Sequence, residues 1–119
     1  MQRFCLTLAM YPDPVLIEEY KERHRQVWPE VLQSLHDAGV LQMQIYLDEN
    51  RLFMIMDTTD DFTLERKGEM DRANPTVMRW EREMARYQAA DPETDASARW
   101  KRLDCVFDLS AARSAAVPG

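Results

Sequence analysis

Three patterns in the chain predict an α+β fold, a ferredoxin-like βαββαβ arrangement with an antiparallel sheet. Apolar residues alternate at period two over residues 4–10, 40–47 and 103–109, and a nearly continuous apolar run covers 52–57. They recur three and four apart over residues 15–38, the period of one helix face. The two middle strand runs are joined by the polar turn Asp48-Glu49-Asn50-Arg51, which marks an antiparallel hairpin.

The first strand places Phe4, Leu6, Leu8 and Met10 on one side and Cys5, Thr7 and Ala9 on the other. Tyr11-Pro12-Asp13-Pro14 ends it, because proline cannot donate to a strand ladder. Asp13 then serves as N-cap with Pro14 in the first helical position. The helix that follows carries Ile17, Tyr20, His24, Val27, Val31, Leu35 and Ala38 on its inward stripe. Pro29 breaks or kinks it directly after Trp28, at a cost of about 3 kcal/mol in a regular interior. Gly39 is the expected terminator of the second piece.

In the hairpin, Leu41, Met43, Ile45 and Leu47 alternate against Gln42, Gln44 and Tyr46. Thr58-Thr59-Asp60-Asp61 offers caps for a helix reaching Met70 to Ala73. Asn74-Pro75 repeats the cap-and-proline start for a helix whose stripe is Val77, Trp80, Met84 and Tyr87. Residues 89–97 read as a loop around Asp91-Pro92. The last strand alternates Leu103, Cys105, Phe107 and Leu109 against Asp104, Val106 and Asp108. One domain over residues 1–110 results, with a small, polar, frayed tail over 111–119.

This order predicts the first and last strands as antiparallel neighbours in the sheet centre, with helices on one face. The other face mixes Thr, Gln and Tyr with apolar residues, so water or a second copy must meet it. A homodimer packing two sheets face to face is the economical arrangement.

Composition narrows the function. The 119 residues suffice for one domain with a real core. A net charge of −6 provides no basic field for phosphates, so nucleic acid is not an expected partner. No apolar run approaches a membrane span, and the N-terminus lacks a signal-like apolar stretch. Two cysteines, one in each terminal strand run, are too few for a disulfide framework and read as small buried hydrophobes in a cytoplasmic chain.

Three glycines in total leave no phosphate cradle, and no Ser-His-Asp pattern is present. His24 and His36 lie about 18 Å apart along a straight helix and cannot share a metal without help from elsewhere, which no Cys or His cluster supplies. His36, before Asp37, reads as an exposed helix-end residue. The conspicuous chemistry is the inward stripe itself. Tyr20 and His24 sit one turn apart with Cβ atoms about 6 Å from each other. An imidazole that titrates near neutrality beside a phenol suits acid–base work, and an indole such as Trp80 suits the face of a sugar. A histidine filling a core stripe is the plainer alternative from spacing alone.

Glu18-Glu19-Tyr20-Lys21-Glu22-Arg23-His24, followed by Val27-Trp28-Pro29-Glu30, resembles the E-E-Y-x-x-R-H-x-x-x-W-P-E signature of the L-rhamnose mutarotase family. Ile45-Tyr46-Leu47-Asp48, Arg79-Trp80 and Cys105-Val106-Phe107-Asp108-Leu109 are similar to that family's later motifs, in matching order over roughly residues 2–110. The resemblance implies a dimeric α+β barrel and a cofactor-free, metal-free mutarotase. Its reaction would interconvert the α and β anomers of a 6-deoxy-L-hexopyranose, L-rhamnose first. By position, His24 would be the catalytic proton donor, Tyr20 a substrate-binding residue, and Trp80 a wall of the sugar site. Trp28, turned aside at the break, reads from its place in the chain either as a core plug or as a further substrate contact.

Two pocket positions depart from the family pattern. Met43 stands where members commonly carry a tyrosine, and Glu81 where they commonly carry a second tryptophan. The stretch Asp91-Pro92-Glu93-Thr94-Asp95 also replaces the family's N-P-D-N-S run. These changes bear on which hydroxyls are satisfied, which makes L-fucose the competing substrate. A cofactor-independent monooxygenase or haem-handling barrel, and a ligand-sensing module without activity, are the readings from other classes.

Overall fold

The computed structural model describes residues 1–89 and 99–115. Its elements are β1 (Gln2–Ala9), α1 (Pro14–His24), α2 (Pro29–Asp37), β2 (Val40–Asp48), β3 (Arg51–Thr58), α3 (Leu64–Arg72), α4 (Pro75–Ala85), β4 (Lys101–Arg102) and α5 (Leu109–Ala115). The four strands form one antiparallel sheet in the order β2-β3-β1-β4. The fold is therefore the expected α+β, βαββαβ type. β1 and β4 are neighbours as expected, but β1 and β3 occupy the centre and β4 is an edge.

The helix starts follow from their caps. Asp13 Oδ1 accepts from the Val15 and Leu16 amides at 2.9 and 3.5 Å. Asn74 Oδ1 accepts from those of Thr76 and Val77 at 3.1 and 3.3 Å. Each is followed by proline, whose fixed φ suits the first turn. The third helix is capped two residues later than expected, by Thr63, whose hydroxyl accepts from the Arg66 amide at 3.1 Å.

The helix break is wider than a kink. Pro29 drives Trp28 to an extended conformation (φ −60°, ψ 137°), and α1 has already ended at His24 with Arg25 as its C-cap. Residues 25–28 thus form a non-helical joint between α1 and α2.

The hairpin turn is tighter than the sequence suggested. Asp48 pairs with Arg51, leaving Glu49 and Asn50 as a two-residue turn with Glu49 in the left-handed region (φ 53°). Asn50 ties the turn to β1, its Nδ2 donating to the Met10 carbonyl at 2.9 Å. At the other end of β2 the register slips. Val40 opposes Thr58 and Gln42 opposes Asp57, so Leu41 is the extra residue of a bulge. This is why Leu41 is exposed while Met43, Ile45 and Leu47 turn inward.

Two buried clusters lie between the sheet and the helices. Met10, Tyr20, Val31, Leu52, Trp80, Met84 and Tyr87 form one, and Phe4, Leu6, Ala38, Val40, Met56 and Phe62 the other. The sheet's opposite face carries Cys5, Tyr46, Phe53 and Ile55, none of them buried.

The closing strand corrects the sequence reading. β4 spans two residues, pairing Leu6 with Arg102 and Thr7 with Lys101, and the Leu103 amide adds one bond to the Cys5 carbonyl at 2.8 Å. Residues 103–108 then leave the sheet, with Val106 95% and Phe107 71% exposed. Their alternation supplies strand propensity, but nothing in one described chain lies over them. Cys105 is accordingly exposed rather than buried, and Cys5 is half-buried. The tail opens with helix α5, where the Asp108 side chain accepts from the Ala111 amide at 3.2 Å. The loop expected over 89–97 lies, beyond Ala89, outside the described residues, as do 116–119.

Gly39 joins α2 to β2 with φ 99°, and its carbonyl accepts from the Thr59 amide at 2.9 Å. A Cβ there would stand 2.7 Å from Thr59 Oγ1. Gly39→Ala is expected to lower stability by roughly 1–3 kcal/mol through left-handed strain and this contact. An unchanged urea midpoint would contradict that account of the joint.

Candidate active site

The break at residues 25–28 positions the site. Because α1 stops at His24, the imidazole stands at a helix end, with Tyr20 one turn back and the sheet below. The two rings lie almost face to face, centroids 4.1 Å apart and planes tilted 34°. Trp80 comes from the middle of α4, where the apolar stripe buries it, and meets the His24 ring edge-to-face at 5.6 Å. Trp28, turned out of the helix path by Pro29, meets Trp80 from behind at 5.1 Å and 72°. The Arg79 guanidinium lies 4.8 Å from the Trp28 ring centre.

A cavity of about 440 Å³ opens beside these rings, within the range of small-molecule sites. Tyr20 and His24 of α1 and Trp80 and Glu81 of α4 line it. The sheet contributes Leu6, Met43, Ile45, Met54 and Met56 as an apolar floor. Lys67, Gln88 and Trp100 line it too, among the apolar side chains of Val27, Val31, Leu32, Leu35, Leu64 and Met84. Five predicted site residues, His24, Tyr20, Trp80, Met43 and Glu81, therefore share one cavity. Trp28 is not in its wall and packs against the back of Trp80.

The His24 tautomer follows from one contact. Its Nδ1 is 2.9 Å from the Tyr20 carbonyl, which can only accept, so Nδ1 carries a hydrogen and donates it. In the neutral ring Nε2 is then the free acceptor. Burial holds the imidazole below the usual histidine range and the nearby Arg23 guanidinium pushes the same way, against the carbonyl bond. Arg23 is itself anchored, its Nη2 donating to Glu83 Oε2 at 2.9 Å. At neutral pH His24 is a neutral group with an available lone pair.

Burial, helped by the Glu81 charge, pushes the Tyr20 phenol well above its ordinary value, so it keeps its proton and acts as a hydrogen-bonding group. Burial likewise pushes the Glu81 carboxyl up, while Lys67 and Arg99 pull it down and Asp71 opposes them. Arg99 Nη2 donates to Glu81 Oε2 at 3.1 Å, and Lys67 pairs with Asp71 at 2.6 Å.

Gln88, Lys67, Arg99 and Trp100 were not singled out by the sequence. Only Gln88 left a signal, since Trp80, Met84 and Gln88 continue one face at spacings of four. Lys67 and Arg99 resemble ordinary surface charges until the fold turns them inward. His36, by contrast, is exposed as expected, its side chain 82% accessible. Among the described residues, no cluster of three or more His, Cys, Asp or Glu side chains could hold a metal, and no helix is long and apolar enough to cross a membrane.

Comparison with known proteins agrees with this geometry. Residues 3–109 match the sequence profile of the L-rhamnose mutarotase family. An L-fucose mutarotase of Xanthomonas campestris pv. campestris is 36% identical over 116 residues, covering 96% of this chain and 93% of that protein. An L-rhamnose mutarotase of Paraburkholderia phytofirmans is 31% identical over 88% of this chain and 94% of its own length. The crystal structure of an L-rhamnose mutarotase from Formosa agariphila superposes with a TM-score of 0.70 at 26% identity, over 92% of this chain and 99% of that one. With a family match over nearly its whole length, a matching fold and the Tyr20–His24 pair beside a cavity, the chain belongs to the L-rhamnose mutarotase family of sugar isomerases.

Proposed function

We propose that the protein interconverts the α and β anomers of a 6-deoxy-L-hexopyranose, with His24 moving the proton and Tyr20, Trp80, Met43 and Glu81 contacting the sugar. The observation that carries this reading is the His24 imidazole, neutral and with Nε2 free, in a cavity walled by Tyr20 and Trp80. Anomer exchange needs a proton removed from the anomeric hydroxyl while another reaches the ring oxygen, and the reverse on reclosure. Nε2 takes and returns one such proton without either side chain changing place. Tyr20, held protonated, orients hydroxyls, and the Trp80 face suits the apolar side of the ring. Trp28 acts indirectly, by fixing the plane of Trp80.

L-Rhamnose is the first substrate on family grounds. L-Fucose is the second reading, favoured by the L-fucose mutarotase relative and by the Met43 and Glu81 departures. An apolar contact and a carboxylate satisfy different hydroxyl orientations from a phenol and an indole, and unpaired buried groups discriminate strongly.

We further propose a cytoplasmic homodimer. The sheet face bearing Cys5, Tyr46, Phe53 and Ile55 and the exposed Val106 and Phe107 supply the apolar surface that a second copy would cover. The wild type is expected to sediment as a dimer and Phe107→Glu largely as a monomer; a monomeric wild type at micromolar concentration would refute the assembly.

His24→Ala should lower anomer exchange by about 100-fold or more, in line with the loss of a general acid–base group. Saturation-transfer NMR with L-rhamnose and L-fucose reads this directly, and wild-type exchange rates in the variant would remove His24 from the reaction. The same screen across common epimers identifies the sugar.

A further inference from the structure

We propose that Glu81, positioned by Arg99, is the second proton-transfer group of the site and partners His24 during ring opening and closure. The inference rests on the mutarotase reading above. Ring opening moves protons at two oxygens, whereas His24 offers one free nitrogen, because Nδ1–H is committed to the Tyr20 carbonyl. Tyr20 retains its proton too firmly to serve as the other donor. Glu81 follows Trp80 directly and lines the same cavity.

Arg99, its side chain only 2% exposed, fixes the carboxyl through Oε2 and leaves Oε1 without a donor among the described residues. Lys67 and Asp71 of α3 face Glu81 as an ion pair of their own, and the Tyr20 phenol faces it from α1. In the same cavity wall the Gln88 Oε1 is buried without a partner, an acceptor for a hydroxyl. The polar groups of the cavity wall thus suit a ligand bearing several hydroxyls, with one carboxyl oxygen free to exchange a proton.

The step balances with no further reactant. Nε2 takes the proton of the anomeric hydroxyl as the bond from the anomeric carbon to the ring oxygen breaks, and the Glu81 carboxylic acid gives its proton to that ring oxygen. The open-chain aldehyde turns about the bond to its neighbouring carbon. The hydroxyl then attacks the other face and returns its proton to Glu81, while the His24 imidazolium returns its own to the carbonyl oxygen. Neither group gains or loses a proton over the cycle.

One proton shared by the two groups is required, which dictates the pH response. Below both ionisations His24 is also protonated and accepts nothing; above both, Glu81 has nothing to give. The rate should be bell-shaped, its limbs belonging to the coupled pair. Burial lowers His24 and raises Glu81, bringing the two limbs toward each other.

The test is the pH profile of anomer exchange on the full chain, measured by saturation-transfer NMR with whichever of L-rhamnose and L-fucose the wild type exchanges. Glu81→Gln should lower the maximal rate about 100-fold, and its profile should lose the alkaline limb and stay flat above the His24 ionisation. Glu81→Asp, which keeps a carboxyl, should retain both limbs at an intermediate rate. A Glu81→Gln enzyme at the wild-type rate, or a slow one with its alkaline limb intact, would overturn the proton-transfer role while leaving the mutarotase reading standing. Absence of exchange in the wild type would instead overturn that reading before any variant is compared.

Discussion

Proline at position 29 has no N–H to give, and it forces Trp28 out of helical space; the site depends on that constraint. A continuous helix over residues 14–37 would carry His24 in mid-stripe, flanked on both sides by regular turns. The joint over residues 25–28 instead ends α1 at the imidazole and sends Trp28 sideways against Trp80. Trp80 in turn sets its edge-to-face contact with His24. Three aromatic groups and a titrating ring are locked together by one missing hydrogen-bond donor. The local cost of interrupting the helix is offset by the burial of Tyr20 and Trp80.

The cavity is mostly apolar, with a few polar groups set into its wall. Its floor, from β1, β2 and β3, is aliphatic and thioether, able to meet the 6-methyl group and C–H edges of a deoxy sugar. Its wall sets His24, Tyr20, Glu81, Gln88 and Lys67 among aliphatic and indole side chains. Such a lining fits a ligand with apolar edges and several hydroxyls. It also exploits low dielectric, since burial moves His24 down and Glu81 up from their ordinary values. Groups whose solution ionisations lie about two units apart are thereby drawn closer to a common range.

Much of this was legible in the chain. The Asp13-Pro14 and Asn74-Pro75 starts, the Tyr20–His24 spacing and the hairpin all follow local rules that the structure obeys, because caps and periodicity act within one turn or one strand pair. The failures share a cause. Alternation puts Leu41 on the same side as Met43, because a bulge depends on the partner strand and leaves no local mark. Residues 103–108 read as a strand by alternation, yet a strand needs a neighbour, and beyond Leu103 this chain supplies none in the structure described. Lys67 and Arg99 were invisible because long-range pairing with Asp71 and Glu81 is what brings their charges inside.

The bulge at Leu41 makes the start of β2 tolerant of a change in length. Val40 and Met43 are three residues apart, yet they oppose Thr58 and Met56, which are two apart. The extra residue is what turns Met43 toward the cavity; in an unbulged ladder continued from Val40, the side chain on that face would be the amide of Gln42. Loss of Leu41 alone would leave Val40 opposite Thr58 and Met43 opposite Met56, so the bulge takes up one residue of chain length at the start of the strand while the thioether stays on the floor of the site.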